Sequence, residues 1–133
     1  MEDFSQNEGF IWFDGELVDW KEANIHVLTH GLHYASSVFE GERCYEGKVF
    51  REIEHTKRLH HSANTLGFEI PYSIEEICNI RKTVLDANNI KNGYIRPVSW
   101  RGSEMMGISA QKNTIHLAIA AWEWPSYYTQ EAR

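Results

Sequence analysis

Cysteine is scarce in this sequence: only Cys44 and Cys78 occur, far apart and without a Cys-x-x-Cys spacing. That excludes a disulfide framework and suggests no thiolate metal site, and it suits a reducing compartment, so a cytoplasmic location is expected. No apolar run approaches the roughly 20 residues of a membrane span. The opening MEDFSQNEG has neither the basic nor the apolar region of a secretory signal. Excess positive charge is also missing. Against 19 acidic residues stand 13 basic ones, a formal net charge of -6, so neither nucleic acid nor an anionic membrane is an expected partner. The three prolines, Pro71, Pro97 and Pro125, are scattered, and no repeat, low-complexity tract or Pro/Gly/Ser-rich linker divides the chain. A Gly-x-Ser-x-Gly elbow, a Walker loop and a dinucleotide glycine fingerprint are all absent, which leaves ordinary acyl and nucleotide chemistry without support.

What is present describes one globular domain. Residues 1–133, 42% hydrophobic and 24% charged, match average globular usage and suffice for a single core. Phe10 to Phe13 and Glu16 to Val18 flank Asp14-Gly15, a strong hairpin signal. A second hairpin is predicted from Val38 to Tyr45 and Lys48 to Arg51 around Glu46-Gly47. Leu59, Ala63 and Leu66 predict a helix over Glu54 to Leu66 with Gly67 as its cap. Ser73 and Glu76 form a capping box for a second helix reaching about Asn88, with Ile77, Ile80, Val84 and Leu85 buried. Tyr94 to Trp100 and Thr114 to Trp124 read as strands, and Arg101 to Gln111 between them is a candidate binding loop. Hairpins, then helices, then strands argue for an α+β fold, an antiparallel sheet flanked by two main helices.

Few residues carry an obvious chemistry. The run HYASSVFEG, His33 to Gly41, starts polar and small and turns strand-like only near Val38, so it reads as a loop that delivers side chains. His26, His30 and His33 invite a metal site, but their segment lacks clear helical character and no acid sits at a recognised offset, so capping or loop-orienting roles are favoured. In YIRP the period of two sets Tyr94 and Arg96 on one strand face and Ile95 on the other. A guanidinium fork beside a phenol suits a carboxylate, and a plain surface salt bridge is the alternative. Arg58, within EHTKRLHHSA, has the same two readings.

Four of these features, the Phe10–Phe13 opening, HYASSVFEG, EHTKRLHHSA and YIRP, occur in an order that resembles the N-terminal half of the branched-chain amino acid aminotransferases, class IV enzymes of the D-amino acid aminotransferase-like fold that use pyridoxal 5'-phosphate. The resemblance spans about Phe10 to Ala132. It implies that Arg58 binds the cofactor phosphate, that Phe39 packs on a branched aliphatic side chain, and that Tyr34 reaches the pocket of a neighbouring subunit. It further implies that Tyr94 and Arg96 hold the substrate, with Arg96 accepting the distal carboxylate of glutamate. Ile108 would lie in a loop shared across a dimer, and Tyr127 would be a further pocket tyrosine. Leucine, isoleucine and valine, glutamate and the matching 2-oxo acids are the implied partners, together with a second copy of the chain.

Glu42 stands where the family usually carries an aliphatic residue, and alternation from Phe39 sets it with Glu40 and Cys44 on the face away from the pocket. In the family the lysine that forms the Schiff base lies in a following domain, and Lys21, Lys48, Lys57, Lys82, Lys91 and Lys112 fall outside the matched position. The chain is therefore expected to be the substrate- and phosphate-binding small domain, inactive alone because no catalytic lysine is present. A truncated non-enzymatic domain that binds or self-associates is the alternative from another class. Within the class the alternatives are a D-amino acid aminotransferase and an aminodeoxychorismate lyase.

Overall fold

The computed structural model describes residues 3–123. Asp14 and Gly15 both take positive φ, the mirror-image turn that matches strand twist, and join β1 (Phe10–Phe13) to β2 (Glu16–Asp19) as expected. The second predicted hairpin also turns at Glu46-Gly47, but its first arm is not one strand. It is split into β3 (Ser37–Phe39) and β4 (Glu42–Tyr45) by a break at Glu40-Gly41, and only β4 pairs with the short returning strand β5 (Lys48–Val49). Ahead of it, the histidine segment judged to lack helical character forms the short helix α1 (His30–Tyr34), which ends at Ala35 with φ 57. So short a helix presents no periodic stripe to read.

Helix α2 (Glu52–Thr65) starts two residues before its predicted boundary, because Arg51 at φ 54 turns the chain directly from β5 into it. It ends as expected. Gly67 has φ +84, its N–H reaches Asn64 O, and the Phe68 N–H reaches Ala63 O, the paired bonds of a Schellman cap. Helix α3 (Ile74–Ala87) opens on the predicted box: Glu76 N–H donates to Ser73 Oγ at 3.0 Å and Ser73 N–H to Glu76 Oε1 at 2.9 Å. Among the described residues no helix is long and apolar enough to cross a membrane.

Strands β6 (Gly93–Arg101) and β7 (Ile115–Glu123) pair along their whole length in one antiparallel sheet of order β2-β1-β7-β6-β4-β5, with β3 also on β6. The class is α+β. Both long helices lie on one face, where Leu59, Ala63, Ile77 and Val84 meet Trp12, Ile95, Leu117 and Ile119. Their neighbours Tyr94, Arg96 and Ala120 alternate to the other face, so one face makes the core and the other is not covered by the two long helices.

One core position is not apolar. Arg81, one turn after Ile77 on α3, is fully buried, whereas Ile80 is only partly so. Its Nε and Nη2 donate to Glu42 Oε1 and Oε2 at 2.8 and 2.7 Å, and Glu42 is also fully buried. Glu42 thus lies on the helix side, as alternation implied. Burial pushes its carboxyl above the usual range, with the Arg81 guanidinium pulling the other way.

Removing one partner strands a buried charge, so Arg81→Met should destabilise the chain by about 3–5 kcal/mol. The double variant Glu42→Leu with Arg81→Met should recover most of that loss in urea unfolding. An unrelieved double variant would assign the cost to the shape of the site rather than to the stranded carboxylate.

Candidate functional site

The face opposite the helices collects the alternate residues of the two long strands. Over one end of it folds the segment from Ala23 to Leu32, leaving a concavity of about 410 Å³ lined by Ile11, Phe13, Ile25, Leu32, Val98 and Trp100, with Arg96 at its polar part. The walls are almost wholly apolar, and charge enters through one guanidinium. Such a pocket suits a ligand with a carboxylate and an aliphatic body.

Arg96 is held by stacking as well as by hydrogen bonding. Its Cζ lies 4.3 Å from the Phe39 ring centre and 5.5 Å from that of Tyr94, and Nη2 donates to the Tyr94 hydroxyl at 3.0 Å. Because that oxygen accepts, the phenol keeps its own proton to donate elsewhere. Arg96 Nε is buried and has no hydrogen-bond partner among the described residues. A buried donor left without an acceptor is costly, so this guanidinium has hydrogen-bonding capacity that the described protein atoms do not use. Tyr94 rests against Trp122 at 5.0 Å between ring centres, and its hydroxyl sits on Gly41, where any Cβ would overlap it.

On the other side of the same strand break lies Arg58. Glu40 follows Phe39, is 4% exposed and fixes its own backbone by donating to Pro97 O at 3.1 Å. Its carboxylate accepts from Arg58 Nε at 2.9 Å, from Arg58 Nη2 at 2.7 Å and from His55 Nδ1 at 2.7 Å. Burial opposes the Glu40 charge, yet the hydrogen bonds from Arg58 and His55 outweigh it and hold the carboxyl below the usual range. The Arg58 side chain is 65% exposed, so the rest of its guanidinium faces outward.

Tyr34 and Ile108 occupy a different part of the surface. His30, buried, bonds Ser36 Oγ at 2.7 Å and Gly107 O at 2.9 Å, and the Tyr34 hydroxyl donates to Met106 O at 2.9 Å. Helix α1 and the Arg101–Gln111 loop are therefore tied together, with Ile108 84% exposed at the tip. No hydrogen bond or ring contact joins Tyr34 or Ile108 to Phe39, Tyr94 or Arg96 among the described residues. Tyr127 lies outside the described residues. His33 Nε2 meets Val27 O at 2.8 Å, the loop-orienting role favoured for it, and no group of the described residues is arranged to hold a metal.

Sequence reasoning thus gathered Phe39, Tyr94 and Arg96 and missed what supports them. Alternation sets Glu40 on the helix side, but nothing local points to its partner Arg58, which is 18 residues away. Gly41 gave no signal, since only the three-dimensional approach of Tyr94 requires it.

Comparison with known proteins agrees with the resemblance. The family model for amino-transferase class IV matches residues 37–133. A branched-chain-amino-acid aminotransferase from Pseudomonas aeruginosa is 45% identical over 132 residues, covering 96% of this chain and 43% of its own. A probable one from Rickettsia bellii is 49% identical over 115 residues, covering 86% and 40%. Among solved structures, the Escherichia coli branched-chain amino acid aminotransferase superposes with a TM-score of 0.83 at 41% identity, covering 89% of this chain and 40% of its own. A second solved branched-chain amino acid aminotransferase, complexed with N-(5'-phosphopyridoxyl)-L-glutamate, gives 0.82 at 42% identity, covering 88% and 42%. The chain spans about two fifths of the length of these relatives.

A methyl at Gly41 must push the Tyr94 hydroxyl off Arg96, so Gly41→Ala should cost about 1–3 kcal/mol of stability and change the near-UV signal of the tyrosines. Adding Tyr94→Phe should return most of the stability. A second expectation concerns pH. The folded Glu40 carboxyl titrates below its unfolded value of 4.5, so its contribution is present above that value and is lost as pH falls through the lower folded one. Glu40→Gln should flatten the acid limb of the stability profile there, and identical limbs would refute the assignment.

Proposed function

The chain belongs to the class IV amino-transferase family, and on that premise we propose that it is the substrate- and phosphate-binding part of a pyridoxal-phosphate-dependent branched-chain amino acid aminotransferase. The reaction would exchange an amino group between leucine, isoleucine or valine and 2-oxoglutarate. The observation that carries this reading is the Arg96 guanidinium, with its unpartnered buried Nε, at the polar part of an apolar concavity. An aliphatic side chain finds apolar walls there, and a carboxylate finds a fork and a phenol.

The residues present also fit the cofactor. Glu40 uses the Nε and Nη2 side of Arg58, so the outward end of the guanidinium is available to a phosphate. When bound, pyridoxal phosphate supplies an electron sink for the substrate α-carbon, and the work of this chain is to bind and orient. Arg96 with Tyr94 would hold a carboxylate, Phe39 would press on the aliphatic part and shield Arg96 from water, and Arg58 would anchor the phosphate. Tyr34 and Ile108 would serve a second copy of the chain across a dimer, a role supported by their exposure, and Tyr127 would be a further pocket tyrosine. The base that moves the α-proton would come from a lysine on a following domain, so residues 1–133 alone would be a single binding domain without turnover, expected in the cytoplasm.

The test is titration followed by NMR. Both 2-oxoglutarate and 4-methyl-2-oxopentanoate should shift Arg96 Nε–H and Tyr94, and Arg96→Gln should weaken both by roughly tenfold or more, as loss of a charged hydrogen bond implies. Pyridoxal phosphate should perturb Arg58, and Arg58→Ala should remove that response. Transamination of leucine by this chain alone with added cofactor would overturn the division of labour.

A further inference from the structure

Arg58 can be reached from two directions, and among the described residues Glu40 uses one of them. A guanidinium carries five N–H donors in a plane. Glu40 takes Nε–H and one Nη2–H, which leaves the Nη1 and Nη2 end of the fork directed away from the carboxylate. An exposed arginine ordinarily samples many rotamers, and an exposed ion pair restrains it little. Here the partner is held on several sides. Glu40 is 4% exposed, its N–H is bonded to Pro97 O, and His55, on the same helix as Arg58, closes its remaining side at 2.7 Å.

We propose that Glu40 is a positioning residue for Arg58: it grips one edge of the guanidinium so that the other edge is set in advance for a phosphate monoester. The inference rests on the reading of Arg58 given above and adds a residue to it. Because Glu40 lies between Phe39 and Gly41, a single three-residue segment then spaces the phosphate arginine from the Phe39–Arg96–Tyr94 cluster, fixing phosphate and substrate groups relative to each other. A carboxylate so near a phosphate is electrostatically unfavourable, so its value must be geometric: an arginine that is already oriented loses less freedom on binding.

The sign of one measurement separates geometry from charge. Inorganic phosphate and pyridoxal phosphate are titrated by 31P NMR into the chain and into Glu40→Gln, Glu40→Asp and Arg58→Ala, each checked for folding by its unfolding transition. Positioning predicts that Glu40→Gln binds about tenfold more weakly despite losing a negative charge, with Glu40→Asp intermediate. Unchanged or tighter binding by folded Glu40→Gln overturns the proposal alone. No binding by the unaltered chain, or binding unaffected by Arg58→Ala, overturns the role of Arg58 and Glu40 together. Should Glu40→Gln fail to fold, the unaltered chain still decides: phosphate should shift Arg58 Nη1 and leave Nε–H in place, and movement of Nε–H would mean that Arg58 abandons Glu40 for the ligand.

Discussion

The buried ion pair between Glu42 and Arg81 is the constraint on which the arrangement of the sheet and its site depends. It joins β4, at the edge of the long β6–β7 ladder, to the middle of α3 through two hydrogen bonds with no exposure at either side chain. A buried pair contributes little net free energy over an apolar contact, because desolvation consumes most of the attraction. Its value lies in register. Once Glu42 must face α3, alternation forces Arg43 and the far end of the break at Gly41 to their places, and a slip of one residue would strand both charges in the core.

Two residues earlier the same device recurs with a different balance. Glu40 is buried, but its arginine comes from α2 and stays largely in solvent. Between Phe39 and Glu42, therefore, the chain is pinned from the helix side at two points, and Gly41 between them has no side chain so that Tyr94 can close in from the other side. The break in what reads as one continuous strand is what allows this. A side chain at position 41 would collide with the Tyr94 hydroxyl, while Glu40 keeps the helix-side facing that alternation gives it.

How much of this could be read from the sequence follows from the range of each interaction. Asp14-Gly15, the Ser73–Glu76 box and the Gly67 cap are settled within a few residues, and all are found where local chemistry sets them. The facing of Tyr94, Arg96 and Glu42 also follows from alternation, which needs no partner. Failure begins where the partner is remote. Arg81 occupies a core position of α3 that periodicity reserves for an apolar residue, and its two short hydrogen bonds go to Glu42, 39 residues away. Helix α1 is too short to show a period, and its anchor, His30 on Gly107 O, spans 77 residues.

The geometry around Arg96 bears on how one site could accept both an aliphatic and an acidic substrate. An arginine facing a purely apolar pocket would be costly to desolvate when no carboxylate is present. Here Phe39 covers one face of the guanidinium and Tyr94 takes one of its donors, so part of its solvation is replaced by fixed protein groups whichever substrate arrives. Nε has no hydrogen-bond partner among the described residues, and on the proposed reading it would belong to the donor set that a carboxylate meets. On the proposed reading an aliphatic chain would meet Phe39 and the apolar walls of Val98, Trp100 and Leu32 rather than the charge itself. Dual recognition would then need no rearrangement of the arginine, only two adjoining surfaces of different polarity held by one strand.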